Sequence, residues 1–279
     1  MFSTVSIVQL NCAWFVFPNF LFALKKVVPR SSLCAPCFIA KSVVLKVPKL
    51  GSLSNSPKRR TNLLQKSGIK FKQDFEVGKN ISLDELRKKH DAILIATGVY
   101  KPREIELPGS NLKNIFPAME FLMASNRKGL GDRVENFDNG MLNAKNKDII
   151  VIGGGDTGMD CVRTAVRQNA KSVKCLYRRD RENMPGSARE VYNAEEEGVE
   201  FIWLSNPKKF IGKSQVSSVL AERMKLGKTD SSGRKKPESI PSSEFEMKAD
   251  MVIKALGFDP EDLPKLFNSP DLSISKWGT

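Results

Sequence analysis

The chain's clearest chemical signature is the run Gly153-Gly154-Gly155-Asp156-Thr157-Gly158, a G-x-G-x-x-G. Its spacing suits a phosphate. Gly153 permits a tight turn off a strand. Gly155 lets the backbone approach a pyrophosphate with no Cβ in the way, and Gly158 lets the following helix pack close to a sheet. The pyrophosphate would sit on free amides at the positive end of that helix, with Gly154, Asp156 and Thr157 completing the turn. Twenty residues after Gly158 comes Arg178, followed by Arg179, with no acid before Asp180. An acid near this point would take a ribose 2′-hydroxyl. Two guanidiniums suit a 2′-phosphate instead, which they can grip through bidentate charge-assisted bonds. The spacing therefore favours NADP(H) over NAD(H). The plain alternatives are a structural β–α turn and an arginine that merely solvates a strand end.

The elements that must position this loop are legible around it. Ile149-Ile150-Val151-Ile152 is an unbroken apolar run, the pattern of a strand buried on both faces. Met159, Val162, Ala165 and Val166 fall at helical spacing, and residues 172–177 read as the next strand. A strand, glycine loop, helix and strand within about 30 residues is the context this fingerprint requires. A polar helix over 187–197 is stopped by Gly198, and a strand over 199–204 follows. Residues 216–226 and 244–248 look like paired strands around a polar, disordered-looking loop at 228–243. Residues 250–256 read as another buried strand. Upstream, the pattern predicts a short helix over 59–67, a strand at 69–71, and a capping box at Ser82-Leu83-Asp84-Glu85 that opens a helix to Lys89. Ala92-Ile93-Leu94-Ile95-Ala96 is a second buried-strand run, and residues 126–147 read as an exposed loop. Two strand ends are alike: Ala96-Thr97-Gly98 and Ala255-Leu256-Gly257. Small residues there admit a close approach by another chain or a cofactor. The expected class is α/β, with a Rossmann-like three-layer NADP-binding domain.

Composition narrows the chemistry further. Among 279 residues there is one histidine, His90, which excludes a multi-histidine metal site. Five cysteines do not make a disulfide scaffold. Cys34-Ala35-Pro36-Cys37 lacks the second ligand pair that a zinc site needs. The net charge of +14 is lopsided: residues 1–60 hold nine Lys or Arg and no acid, leaving 36 basic against 31 acidic residues, or +5, on the other 219. That distribution argues against nucleic acid as a partner. Gly212-Lys213-Ser214 mimics the end of a P-loop, but Pro207 stands where the first glycine belongs. Residues 2–24 are uncharged and apolar, closed by Lys25 and Lys26. Membrane association of residues 1–26 is one reading of that stretch and organellar targeting another; the plain one is an extension, or a misjoined reading frame, with no fold of its own.

Taken together, the motifs resemble the flavoproteins with two dinucleotide-binding domains, and more closely the small (beta) subunits of NADPH-dependent glutamate synthases. The resemblance runs from about residue 58 to 279. It rests on Ala96-Thr97-Gly98, the run from Gly153 to Asp160, Tyr177-Arg178-Arg179-Asp180-Arg181 with Met184-Pro185, and Ala255-Leu256-Gly257-Phe258. It implies an NADPH-dependent oxidoreductase in which hydride passes to FAD, then electrons pass through iron–sulfur clusters to a glutamate-forming large subunit. No catalytic acid or base is demanded of the protein, because the flavin carries the chemistry. The implied organisation is an unmatched extension at 1–57, a partial FAD-domain segment at 58–108, an NADP-binding domain at 109–265 and the start of a return to the FAD domain at 266–279. The chain departs from the family in lacking a first G-x-G-x-x-G for FAD, a cysteine-rich cluster segment and a closing glycine–aspartate FAD motif. Cys12, Cys34 and Cys37 do not match cluster spacing. The family's usual alanine is replaced by Gly158. The alternatives left open are a truncated NADPH-binding fragment without turnover and a related NADPH–ferredoxin-type flavoprotein.

Overall fold

A computed structural model describes residues 5–8, 40–44, 55–72, 75–229 and 233–275. The apolar stretch at 9–24, the Cys34–Cys37 pair and residues 276–279 lie outside them. The described chain forms two units, one of residues 1–101 with 259–279 and one of residues 102–258.

In the first unit, β1 (Val5–Val8), β2 (Ala40–Val44), β3 (Lys70–Lys72) and β4 (Ala92–Ile95) form a parallel sheet in the order β3-β2-β1-β4. Two helices belong to this unit, α1 (Asn55–Lys66) and α2 (Leu83–Lys89). The expected capping box is present: Ser82 Oγ accepts from the Glu85 amide at 3.1 Å, and Glu85 Oε2 accepts from the Ser82 amide at 3.0 Å. Leu83 and Leu86 turn inward onto Val77 and Phe267, with Ile93 and Ile95 of β4 packed beside them. Residues 92–95 are exposed or half-buried, not sealed on both faces as their apolar run suggested.

The second unit is built on a five-stranded parallel sheet of β5 (Ile115–Pro117), β6 (Asp148–Ile152), β7 (Ser172–Leu176), β8 (Glu200–Ile202) and a last strand, Met251–Lys254. That last strand lies between β5 and β6. All five residues of β6 are buried, as a central strand covered on both faces requires. One face is covered by α3 (Ala118–Gly129), α4 (Glu135–Asp138), α5 (Asp156–Arg167) and α6 (Ala188–Glu196), whose Phe121, Met159, Val162 and Val191 join Ile149 and Val151 in one core. The other face is covered by an antiparallel sheet of β9 (Ser205–Gly212), β10 (Val216–Thr229), β11 (Lys235–Ser239) and β12 (Phe245–Lys248), with Met251–Lys254 then being β13. Phe210, Val219 and Met247 of this sheet pack on Ile150, Ile152 and Val252.

Two expectations fail here. Residues 126–147 are not an exposed loop: they finish α3 and form α4, and Val134, Leu142 and Ala144 are buried. The polar residues around them masked these sparse apolar anchors, each of which finds a place in the core. Residues 228–229 and 235–239 are strand, not loop. β10 runs on to Thr229, and β11 pairs back onto it from Met224↔Ser239 to Thr229↔Lys235. This hairpin is polar on most positions because little covers it, so it lacks the hydrophobic period by which strands are read.

Candidate functional site

Chain order and spatial order part company at the carboxyl ends of β6 and β13. From β6 the chain proceeds to β7 on one side, while β13, much later in sequence, lies on the other. In open parallel sheets this reversal opens a crevice beyond the strand ends, where ligands bind. The glycine run occupies that point. Gly153 leaves β6 at φ +130°, and a Cβ there would lie 2.2 Å from the Ala255 carbonyl oxygen. Ala255 in turn donates its amide to Ile152 O at 2.8 Å. Gly153 is therefore required by the backbone crossing of two strand ends. A Cβ on Gly158 would meet Gly153 O at 2.6 Å, so α5 packs tightly on the turn that precedes it. A Cβ on Gly154 would strike the Tyr177 ring at 2.6 Å.

Gly155 is different. Its φ of −90° and ψ of 175° are open to any residue, and a Cβ there would meet nothing within 4 Å. Among the described residues nothing explains a glycine at this position. Gly155 is the N-cap of α5 without a side-chain cap. Its carbonyl accepts from the Gly158 and Met159 amides at 2.8 and 3.1 Å. Among the described residues the Asp156 and Thr157 amides make no hydrogen bond. An uncapped 12-residue helix thus presents two donors and its positive end beside an open space. These residues fit the pyrophosphate of a dinucleotide.

The far wall is the segment between β7 and α6. The Gly186 amide donates to Gly154 O at 2.9 Å, and the Ser187 amide donates to Asp156 Oδ1 at 2.8 Å. Tyr177 OH donates to Asn183 O at 3.0 Å, and Asp180 Oδ1 accepts from the Asn183 amide and side chain at 2.9 and 2.7 Å. Sequence reasoning missed Tyr177, Asn183 and Gly186 as supports of the loop. The Pro185-Gly186 pair was the available signal, since it marks a tight chain reversal.

The two arginines part ways. Arg178 is exposed. Its backbone is held from both sides: the Ser205 amide donates to Tyr177 O at 3.0 Å and the Leu204 amide to Arg179 O at 3.1 Å. Leu204 reaches this geometry at φ +49°, an unfavourable left-handed conformation for leucine. Arg179 is only 4% exposed, and its Nε donates to the Lys235 carbonyl at 2.8 Å, at the start of β11.

Of the other residues singled out in the sequence, Ala255 and Gly257 belong to the second unit and Ala96, Thr97 and Gly98 to the first. Ala255 abuts Gly153 as described. The Gly257 carbonyl accepts from the Arg103 amide at 3.0 Å, with Gly257 itself at φ +88°. Ala96, Thr97 and Gly98 follow β4 in the first unit. Thr97 is buried, and Gly98 takes φ +71° under the Tyr100 ring.

Burial sets the electrostatics nearby. Asp160, one turn into α5, is pushed up to about 6, first by burial and then by the charges of Glu190 and Asp156. Burial pushes the Cys175 thiol up to about 12 and holds Cys161 well above its ordinary value, so neither is a nucleophile at neutral pH. His90 has its imidazole pKa lowered by burial and the nearby Lys72.

The first unit also contains a parallel sheet. Its order β3-β2-β1-β4 is that of half a doubly wound sheet, in which the turn after β1 holds the pyrophosphate. The sequence there reads Gln9-Leu10-Asn11-Cys12-Ala13, and the first glycine in the sequence is Gly51.

Comparison with known proteins agrees with this architecture. The model of the pyridine nucleotide-disulphide oxidoreductase family matches residues 16–278. The chain is 58% identical over 221 residues to the glutamate synthase [NADPH] small chain of Azospirillum brasilense, covering 79% of this chain and 46% of that protein. It is 42% identical over 207 residues to the corresponding small chain of Escherichia coli, covering 74% and 44%. The chain thus spans about half the length of the curated relatives it matches. Among solved structures it superposes on Mycobacterium tuberculosis FprA in complex with NADPH with a TM-score of 0.67 at 16% identity, covering 94% of this chain and 72% of that one. With the thioredoxin reductase of T. acidophilum the TM-score is 0.56 at 14% identity, covering 99% and 83%. A parallel sheet with its glycine turn at the strand-order reversal, together with these matches, makes this chain a member of the pyridine nucleotide-disulphide oxidoreductase family.

Proposed function

We propose that this chain supplies the NADPH site of a flavoprotein subunit of the glutamate-synthase type. The open space at Gly155, facing two unbonded amides at the start of α5, is the observation that carries the reading. In this reading the Asp156 and Thr157 amides take the pyrophosphate, and Arg178 and Arg179 select the 2′-phosphate, directly or by support. Ala255 and Gly257 border the crevice. NADPH supplies a hydride when bound, and the chain's task is to hold and orient the nucleotide. The resemblance implies FAD as hydride acceptor, with Ala96, Thr97 and Gly98 near it and a glutamate synthase large subunit as partner. The NADP-binding domain is assigned to residues 109–265, flanked by FAD-domain segments at 58–108 and 266–279, and the location to the cytoplasm. Among the described residues no helix is long and apolar enough to cross a membrane.

A second reading has a specific observation in its favour. In the sequence no glycine follows β1 before Gly51, whereas the glycine fingerprint that takes an FAD pyrophosphate begins directly after the first strand. On this reading the chain binds NADPH without turnover. Calorimetric titration of the whole chain with NADPH and NADH, with the visible spectrum recorded before and after adding FAD, separates the cases. Selective NADPH binding together with a bound flavin that NADPH bleaches supports the flavoprotein reading. Selective binding with FAD passing through a desalting column unretained supports the second. Failure to bind either nucleotide refutes both.

A further inference from the structure

The buried position of Arg179 gives the basic hairpin a role beside the nucleotide. Its guanidinium turns away from solvent and donates to the Lys235 carbonyl at 2.8 Å. The Lys235 amide donates to Asn183 Oδ1 at 3.1 Å. Asn183 is itself fixed by Asp180 and lies on the segment that closes over the glycine loop through Gly186. Both backbone polar groups of Lys235 are thus tied to the segment that directly follows Arg178, the carbonyl by Arg179 and the amide by Asn183. The Lys235 side chain is exposed. It carries a compact cation on a flexible four-carbon stem, suited to a phosphate approached from solvent.

We propose that Lys235 is a specificity residue for the 2′-phosphate of NADP(H), contributed by β11, and that Arg179 is its positioning residue. The proposal rests on the NADPH reading above and deepens it. The phosphate is then gripped from two elements, Arg178 from the end of β7 and Lys235 from the hairpin. The pair explains why a charged guanidinium is buried here. Arg179 ties the start of β11 to the turn that follows β7.

The test is titration of the whole chain with NADPH and NADH for Lys235→Ala, Lys235→Arg and, as a control for general charge, Lys209→Ala. Lys209 is exposed on β9 and has no part in the site. The wild type must first bind NADPH more tightly than NADH; equal affinities defeat the NADPH reading itself. Given that selectivity, Lys235→Ala should weaken NADPH on the order of tenfold, as loss of one partly exposed charge-assisted bond does. NADH affinity should stay unchanged, and Lys235→Arg should retain NADPH within about twofold. NADPH binding by Lys235→Ala equal to that of wild type or Lys209→Ala overturns the proposal and leaves the NADPH reading standing, and so does an equal loss for both nucleotides.

Discussion

Replacing Gly155 with alanine separates the stability of the glycine loop from its use. The backbone at Gly155, with φ −90° and ψ 175°, is one that alanine adopts freely, and the added methyl meets no protein atom within 4 Å. Two small effects on stability oppose each other. Alanine restricts the unfolded chain and so stabilises by about 0.4–1 kcal/mol. Alanine is also a poorer N-cap than glycine, at a cost of roughly 0.5–1 kcal/mol. The net lies within about 1 kcal/mol of zero, a Tm change under about 4 °C for a domain of this size. Binding should respond very differently. On the proposed reading the methyl takes up ligand space at the start of α5, and displacing a pyrophosphate from one charge-assisted bond costs about 1.5–3 kcal/mol. That predicts an NADPH Kd raised roughly 10- to 150-fold. Gly153→Ala is the contrast. Its Cβ would fall 2.2 Å from a backbone oxygen at the end of β13, with φ at +130°. Neither strand end can give way easily, so the variant should lose about 3 kcal/mol or more of stability. Differential scanning calorimetry and nucleotide titration on both variants read the two effects separately. A Gly155→Ala chain that melts like wild type and binds NADPH with unchanged affinity would refute the assignment of the pyrophosphate to this turn.

Other outcomes follow from the same geometry. Arg178→Ala should weaken NADPH at least several-fold while leaving NADH binding intact, because Arg178 is the exposed arginine at the strand end; titration with both nucleotides checks this. Asp160 has a folded-state pKa raised from 3.8 to about 6, so its contribution to stability is fully present below about pH 4 and is lost as pH rises through about 6. The full shift corresponds to about 3 kcal/mol, which partial solvent exposure reduces to on the order of 1–2 kcal/mol. Asp160→Asn should therefore gain stability over wild type at pH 7.5 but not at pH 4, measured by urea unfolding at both. Cys161 and Cys175 should resist thiol reagents in the native state and react only on unfolding, since both are buried with raised pKa values; the time course of modification with and without denaturant tests this. Phe121→Ala should cost about 3–5 kcal/mol by opening a cavity where α3 meets the sheet, measured by chemical denaturation.

Much of this protein was determined by local sequence. The apolar run Ile149–Ile152, the glycines after it and the helical spacing from Met159 specify a strand, turn and helix through contacts within about 20 residues, so periodicity alone reveals them. The capping box at Ser82 is equally local and is present as read. The arginine pair was legible too, because its distance from the glycine run follows from the length of one helix and one strand. What the sequence could not reveal depends on partners far along the chain. Gly153 owes its necessity to Ala255, about a hundred residues away, and Gly154 owes its own to the Tyr177 ring. Val134, Leu142 and Ala144 are too sparse to show a period, and only the core they complete makes them buried. The start of β11 is held by Arg179 and Asn183, not by a hydrophobic pattern of its own. The two arginines look equivalent in sequence. Tertiary structure turned Arg179 inward to hold a hairpin and left Arg178 in solvent, because the carbonyl that satisfies a buried guanidinium comes from 56 residues farther on.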